Sequence, residues 1–184
     1  MTTAPADALV VNVAGLLGES PGSHRDVAVA GVRLDLGADL VQAAPLAVGV
    51  RVARTNRGVF VTGRVRTSLA DTCGRCLVPL EIPIDVSIEE EVLPLIELQS
   101  GLPVDTTAEP EAFRLTDHHE LDLEPLVREA VQLAAPIAPT CRPDCAGLCP
   151  VCGEDLNARP HEHADEPVDP RLAALADLRI DEER

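Results

Sequence analysis

The chain contains no tryptophan, no tyrosine and no lysine, and Phe60 and Phe113 are its only phenylalanines. That excludes a row of aromatic platforms for stacking single-stranded bases, as RRM and OB-type binders use. The absence of lysine excludes a Schiff-base mechanism and a phosphate-binding P-loop. All 15 basic residues are arginine, against 31 Asp and Glu, so the formal charge is −16 and there is no general basic surface. No run approaches the ~18 uninterrupted apolar residues that a membrane-spanning helix needs. Residues 1–7 lack the basic and apolar regions of a secretory signal. The expectation is a cytoplasmic protein without a membrane span.

What is present is a chain of 184 residues, 46% hydrophobic and 25% charged, the balance of a folded protein. At ~100–200 residues per domain, it makes one compact domain with at most a small appended module. Alternation of apolar and polar residues predicts strands at 9–13, 27–34, 46–54, 58–70 and 80–89. Pro83 lacks a ladder donor, so the last of these lies at a sheet edge or points that residue outward. Residues 94–112 read as a surface loop. Leu126, Val127, Ala130, Val131, Leu133 and Ala134 then form an apolar stripe at helical spacing. A helix near 123–134 follows, with Asp122 or a neighbour as cap and Pro125 in the first turn. The fold class is α+β: a mainly antiparallel sheet with one covering helix and a C-terminal cysteine-rich zinc module. The organisation is a β-rich core over 1–140, a knuckle over 141–163 packed on that core, and a tail over 164–184 with a short helix.

Six cysteines in a cytoplasmic chain are reduced, so their spacing points to metal or redox chemistry rather than disulfides. Cys73 and Cys76 form one C-x2-C between two antiparallel strands; Cys141, Cys145, Cys149 and Cys152 form a C-x3-C-x3-C-x2-C after the helix. Structural zinc takes four thiolate or imidazole ligands, and C-x2-C lets two thiolates of one turn reach the same ion. Gly74 and Gly153 suit the turn at each pair. Adding His161 and His163 gives eight candidate ligands, enough for two ions. The preferred partition joins Cys73 and Cys76 to Cys141 and Cys145, and Cys149 and Cys152 to His161 and His163. A single ribbon of Cys73, Cys76, Cys149 and Cys152 is the rival, with the two histidines solvated. His118 and His119 read as surface residues. No Ser/His/Asp grouping, catalytic carboxylate pair or phosphate loop stands out, so neither an enzyme nor a small-molecule substrate is expected.

Residues 51–75 hold six arginines and one acid, a local charge of +5 on an otherwise acidic chain. Strand parity puts Arg51, Arg64 and Arg66 on one exposed face beside Phe60, with Arg57 at one end and Arg75 at the knuckle. The planar guanidinium fork suits phosphate. The same pattern also describes ordinary arginines on an amphipathic hairpin.

Several stretches resemble one family. They are Gly58–Gly63 leading to Cys73-Gly74-Arg75-Cys76-Leu77, Glu124–Glu129 with Pro136, Cys141–Gly153 followed by Asp155-Leu156-Asn157, and Asp169–Leu172. Leu17-Gly18 with Pro21-Gly22-Ser23 adds an amino-terminal turn. Together they resemble the YceD-like large ribosomal RNA subunit accumulation proteins. The resemblance implies a bacterial or plastid factor needed for accumulation of 23S ribosomal RNA and so for large-subunit assembly, with no known catalytic activity. It makes 23S rRNA or a large-subunit precursor the expected partner, met through Arg51, Arg57, Arg64, Arg66, Arg75 and Phe60. The alternatives are an acidic module for a basic ribosomal protein, and a thiol- or zinc-responsive regulator.

Overall fold

Three strands of 14 residues each, joined by short connections, make up most of the main sheet. In the computed structural model, which describes residues 6–37, 40–163 and 171, a 3-10 turn at Ala6–Leu9 leads into strand β1 (Val10–Asn12) and the one-turn helix α1 (Ala14–Leu17). Strands β2 (His24–Val32), β3 (Val41–Arg54), β4 (Val59–Thr72) and β5 (Pro79–Val92) form an antiparallel sheet in the order β2-β3-β4-β5. Strand β6 (Glu120–Asp122) and helix α2 (Glu124–Ala134) follow. No helix among the described residues is long and apolar enough to cross a membrane.

The sheet exists because valine and isoleucine alternate with small or charged residues. Val48, Val50, Val52, Val59, Val61, Val65, Leu69, Ile84 and Ile88 point inward and are buried. Register aligns them in rows such as Val48–Val65–Val86, so each burial is shared across strands. Fully burying one such side chain contributes roughly 1.5–3 kcal/mol. Helix α2 covers this face with Leu126, Val127 and Val131. Asp122 Oδ1 accepts the Glu124 N–H at 2.9 Å, with Leu123 in the N-cap position and Pro125 in the first turn. Gln132 donates to Leu36 O at 3.0 Å and ties the helix to the β2–β3 connection. β5 is an edge strand, where Pro83 is harmless.

The structure corrects the sequence reading in three places. The 9–13 segment does not join the main sheet. β1 pairs instead with β6, Val11 opposite Leu121, in a two-stranded sheet of its own. Three-residue strands hold too little alternation to be read from sequence. β3 starts at Val41 rather than 46, running through irregular register around Pro45. There the Thr67 hydroxyl donates to Ala44 O at 2.7 Å and supplies a bond the ladder lacks. The single turn α1 was too short to show a period. The helix expected within 164–184 lies outside the described residues, apart from Arg171.

Gly63 marks the closest approach in the sheet. A Cβ there would stand 2.1 Å from Gly49 O and 2.6 Å from Val50 Cα. Gly63→Ala should therefore cost about 1–3 kcal/mol by overpacking. A Cβ on Gly49 meets nothing within 4 Å, so Gly49→Ala should be neutral or stabilising by up to ~1 kcal/mol. Urea midpoints of the two variants, measured side by side, check the contrast.

Candidate metal centre

Each C-x2-C turn is built by the same backbone pattern. At the β4–β5 connection, Cys73 N–H donates to Val78 O at 2.8 Å and Leu77 N–H to Cys73 O at 2.9 Å. At the second turn, Cys149 N–H donates to Glu154 O at 2.8 Å and Gly153 N–H to Cys149 O at 2.9 Å. The residue four places after the first cysteine is left-handed in both, Leu77 at φ +60° and Gly153 at φ +75°. Gly74 is not left-handed. Its N–H bonds Pro139 O at 2.8 Å and fastens the knuckle to the chain beyond α2.

The six cysteines are free thiols, and they gather with two histidines as two fours. Cys73, Cys76, Cys141 and Cys145 have sulfurs within 4.8 Å of one another, and so do the donor atoms of Cys149, Cys152, His161 and His163. The rival ribbon of Cys73, Cys76, Cys149 and Cys152 is not a grouping the fold makes. Cys73 Sγ lies 3.9 Å from Cys145 Sγ, and Cys76 Sγ 3.7 Å from Cys141 Sγ. Two sulfurs on a tetrahedral zinc at ~2.3 Å stand about 3.8 Å apart, whereas a disulfide brings them to about 2.05 Å. The donor set fits zinc, and these two pairs have the spacing of zinc-bound thiolates rather than of disulfides.

Electrostatics within each four favour a cation. The Cys76 N–H, with those of Arg75 and Cys141, brings the Cys73 thiol down to about 6 against burial. Cys149 comes down to about 6 in the same way, chiefly through the Cys152 N–H. Burial and the neighbouring thiols push Cys141 up to about 12. Cys76 and Cys152 are also raised: the N–H groups of Val78 and Glu154 oppose this, but burial and the adjacent sulfurs outweigh them. One thiolate forms readily in each four, and further ones repel it until a dication neutralises them. His161 Nδ1 is 2.8 Å from Arg159 O, an acceptor only, so Nδ1 carries the proton. That leaves the Nε2 lone pair pointing at the cluster, 3.2 Å from Cys152 Sγ. The Arg159 carbonyl, followed by Cys149, raises the His161 pKa.

The proposed arginine face is mixed in charge. Arg51, Arg64 and Arg66 are exposed on the outer face of the sheet, which Phe60 shares at 37% exposure. Cross-strand neighbours place carboxylates among them. Arg51 pairs with Asp26 at 2.8 Å, and Arg64 and Arg66 both pair with Asp85 at 3.0 and 3.2 Å. Arg57 bonds Glu109 at 2.5 Å, away from the others. Arg75 turns toward the second half of the first four and donates to Cys145 O at 2.8 Å. Counting charge along residues 51–75 missed this, because the compensating acids sit on β2 and β5. His119 is also corrected: it is half-buried, left-handed at φ +58°, and its Nε2 lies 3.2 Å from Ile96 O. His118 is exposed as expected. Asn157, which the metal reading omitted, directs its amide at Cys145 Sγ at 3.5 Å.

A four-stranded antiparallel sheet carrying a helix and two cysteine knuckles defines an α+β protein with two candidate zinc sites. The chain belongs to the family described as large ribosomal RNA subunit accumulation protein YceD, whose model matches residues 61–179. It is 38% identical over 146 residues to uncharacterized proteins of Mycobacterium bovis and Mycobacterium tuberculosis, covering 78% of this chain and 68% of theirs. A Mycobacterium leprae protein, also uncharacterized, is 32% identical over 135 residues, 73% of this chain and 59% of its own length. No solved structure matches the chain.

Zinc binding must displace protons from Cys76, Cys141 and Cys152, whose pKa values are raised. Affinity should therefore fall as pH drops from 8 toward 6. Below about 6, where Cys73 and Cys149 also protonate, it should fall more steeply. Chelator competition at a series of pH values reads this directly. Since bound metal contributes folding free energy, Cys76→Ser should bind at least one zinc fewer and lower the thermal midpoint.

Proposed function

We propose that the chain is a non-catalytic, cytoplasmic factor that supports accumulation of 23S rRNA during large-subunit assembly. It would meet the rRNA, or a precursor particle, through the outer face of β3 and β4. The observation that carries the reading is membership of the YceD family, whose description names large-subunit rRNA accumulation. Zinc, in this reading, has a structural role: it fixes the knuckles that close the β4–β5 end of the sheet.

Geometry supports the finer part of the reading. The outer face is flat beside its arginines, because Ala28, Ala30, Ala47 and Gly49 line the open hollow next to Arg64 and Arg66. A sugar–phosphate backbone can lie close there, held by forked guanidinium groups. The Asp26 and Asp85 pairs hold those groups in place while exposed to water. Exposed ion pairs of this kind are worth about 0–1 kcal/mol, so phosphate can replace them. A second reading is favoured by a separate observation. Glu90, Glu91, Glu109, Glu111 and Glu129 surround a cleft floored by Leu93 and Phe113, a surface suited to a basic ribosomal protein.

In-cell crosslinking with identification of the attached RNA and protein separates the two readings. Arg64→Glu with Arg66→Glu should abolish RNA crosslinks and lower 23S rRNA. The salt dependence of RNA binding should flatten by roughly 0.7–0.9 in log–log slope per lost phosphate contact. Asp85→Asn should do the opposite and tighten RNA binding, since it frees two guanidinium groups. RNA binding indifferent to all three changes would remove the outer face from the function.

A further inference from the structure

The two ligand fours are unequal, and they are connected. Cys73 and Cys145 are 0% and 2% exposed, Cys76 is half-buried and Cys141 exposed, and Cys73 closes the turn between two core strands. In the second four Cys149 is buried, His161 is half-buried, and Cys152 and His163 are exposed. A competing ligand reaches an ion through its exposed side, so the second four, with two exposed ligands and one buried against one exposed and two buried in the first, is the more open to exchange.

The second loop is also shaped by the first. Leu148 N–H, one residue before Cys149, donates to Arg75 O at 3.0 Å, inside the first knuckle. Gly147 at φ +78° passes so close that a Cβ would stand 3.0 Å from the same carbonyl oxygen. Leu156 N–H returns to Gly147 O at 3.0 Å. Asn157, four residues before His161, is tied to the first site. Its Oδ1 accepts from Ala146 N–H at 2.9 Å and from Arg142 Nη2 at 2.6 Å. Its Nδ2 donates to Cys145 Sγ at 3.5 Å and to Asp155 Oδ1 at 2.6 Å. A residue of the segment leading to His161 thus bonds a sulfur of the other four.

We infer that the two fours are an ordered pair. The Cys73/Cys76/Cys141/Cys145 site holds a zinc that is part of the fold. The Cys149/Cys152/His161/His163 site is an exchangeable zinc site that forms on the first, with Asn157 as the positioning residue that couples them. The inference rests on the zinc reading of both fours. It makes the second site the place where zinc supply or an incoming thiol or imidazole ligand acts on the chain, while the sheet stays folded.

The test follows release of zinc from the full chain to a chromophoric chelator, with amide hydrogen exchange reporting the sheet. Two phases of one equivalent each are expected, the fast one without loss of protection in β3–β5. Cobalt substitution identifies the phases, because the fast site should show the weaker thiolate charge transfer of two sulfurs and the slow site that of four. Cys152→Ser should delete the fast phase and leave the slow one. Cys76→Ser should lose both ions. Should that variant fail to fold, Asn157→Ala carries the test: it should weaken the first site about tenfold, as loss of an outer hydrogen bond to a ligand does. Release in a single phase, earlier release of the four-sulfur metal, or an Asn157→Ala variant with unchanged affinities would overturn the ordered pair. A chain that binds no zinc would overturn the zinc reading itself.

Discussion

The approach of the Cys73–Cys76 turn to the chain beyond α2 is the contact on which the C-terminal part of the structure depends. Four sulfurs from residues 73–76 and 141–145 converge, and Gly74 N–H to Pro139 O holds the approach in the backbone. Two segments far apart in sequence are thereby closed at one point. Closing a loop of this length costs entropy that grows only slowly with length. A bound dication would offset that cost and cancel the repulsion among neighbouring thiolates.

From this point the rest of the C-terminal segment is laid down by short-range bonds. Arg75 contributes its carbonyl to Leu148 and its guanidinium to Cys145, so the residue inside the first knuckle holds both sides of the second loop's start. The second knuckle repeats the backbone of the first, down to a left-handed residue at the same place. Leu77 accepts that conformation without the freedom of glycine; the crossing hydrogen bonds on both sides hold it there. The two copies differ at the second cysteine, which is half-buried at Cys76 and exposed at Cys152.

The arginines show how tertiary neighbours alter a reading made along the chain. Strand parity placed Arg51, Arg64 and Arg66 on one outer face, because a one-residue slip would bury them and expose the valines. Asp26 and Asp85 reach the same face from β2 and β5 by register alone. Their carboxylates drop in pKa through the hydrogen bonds from Arg51 and from Arg66 with Arg64. A face that reads as basic in one hairpin is a charge mosaic in the sheet. Its arginines are oriented rather than free.

Sequence alone determined the strands β2–β5, helix α2, the edge position of Pro83 and the residue types of both knuckles. Each of these depends on a period or a spacing within a dozen or so residues. Alternation dictates which face is buried, and C-x2-C dictates which sulfurs share a turn. The tertiary structure decided what depends on distant partners. It paired β1 with β6 and half-buried His119 with its Nε2 against Ile96 O. It also set Asp85 between Arg64 and Arg66 and brought Asn157 to Cys145. Those outcomes are fixed by strand register and by the packing of segments a dozen to more than a hundred residues apart, which no local pattern records.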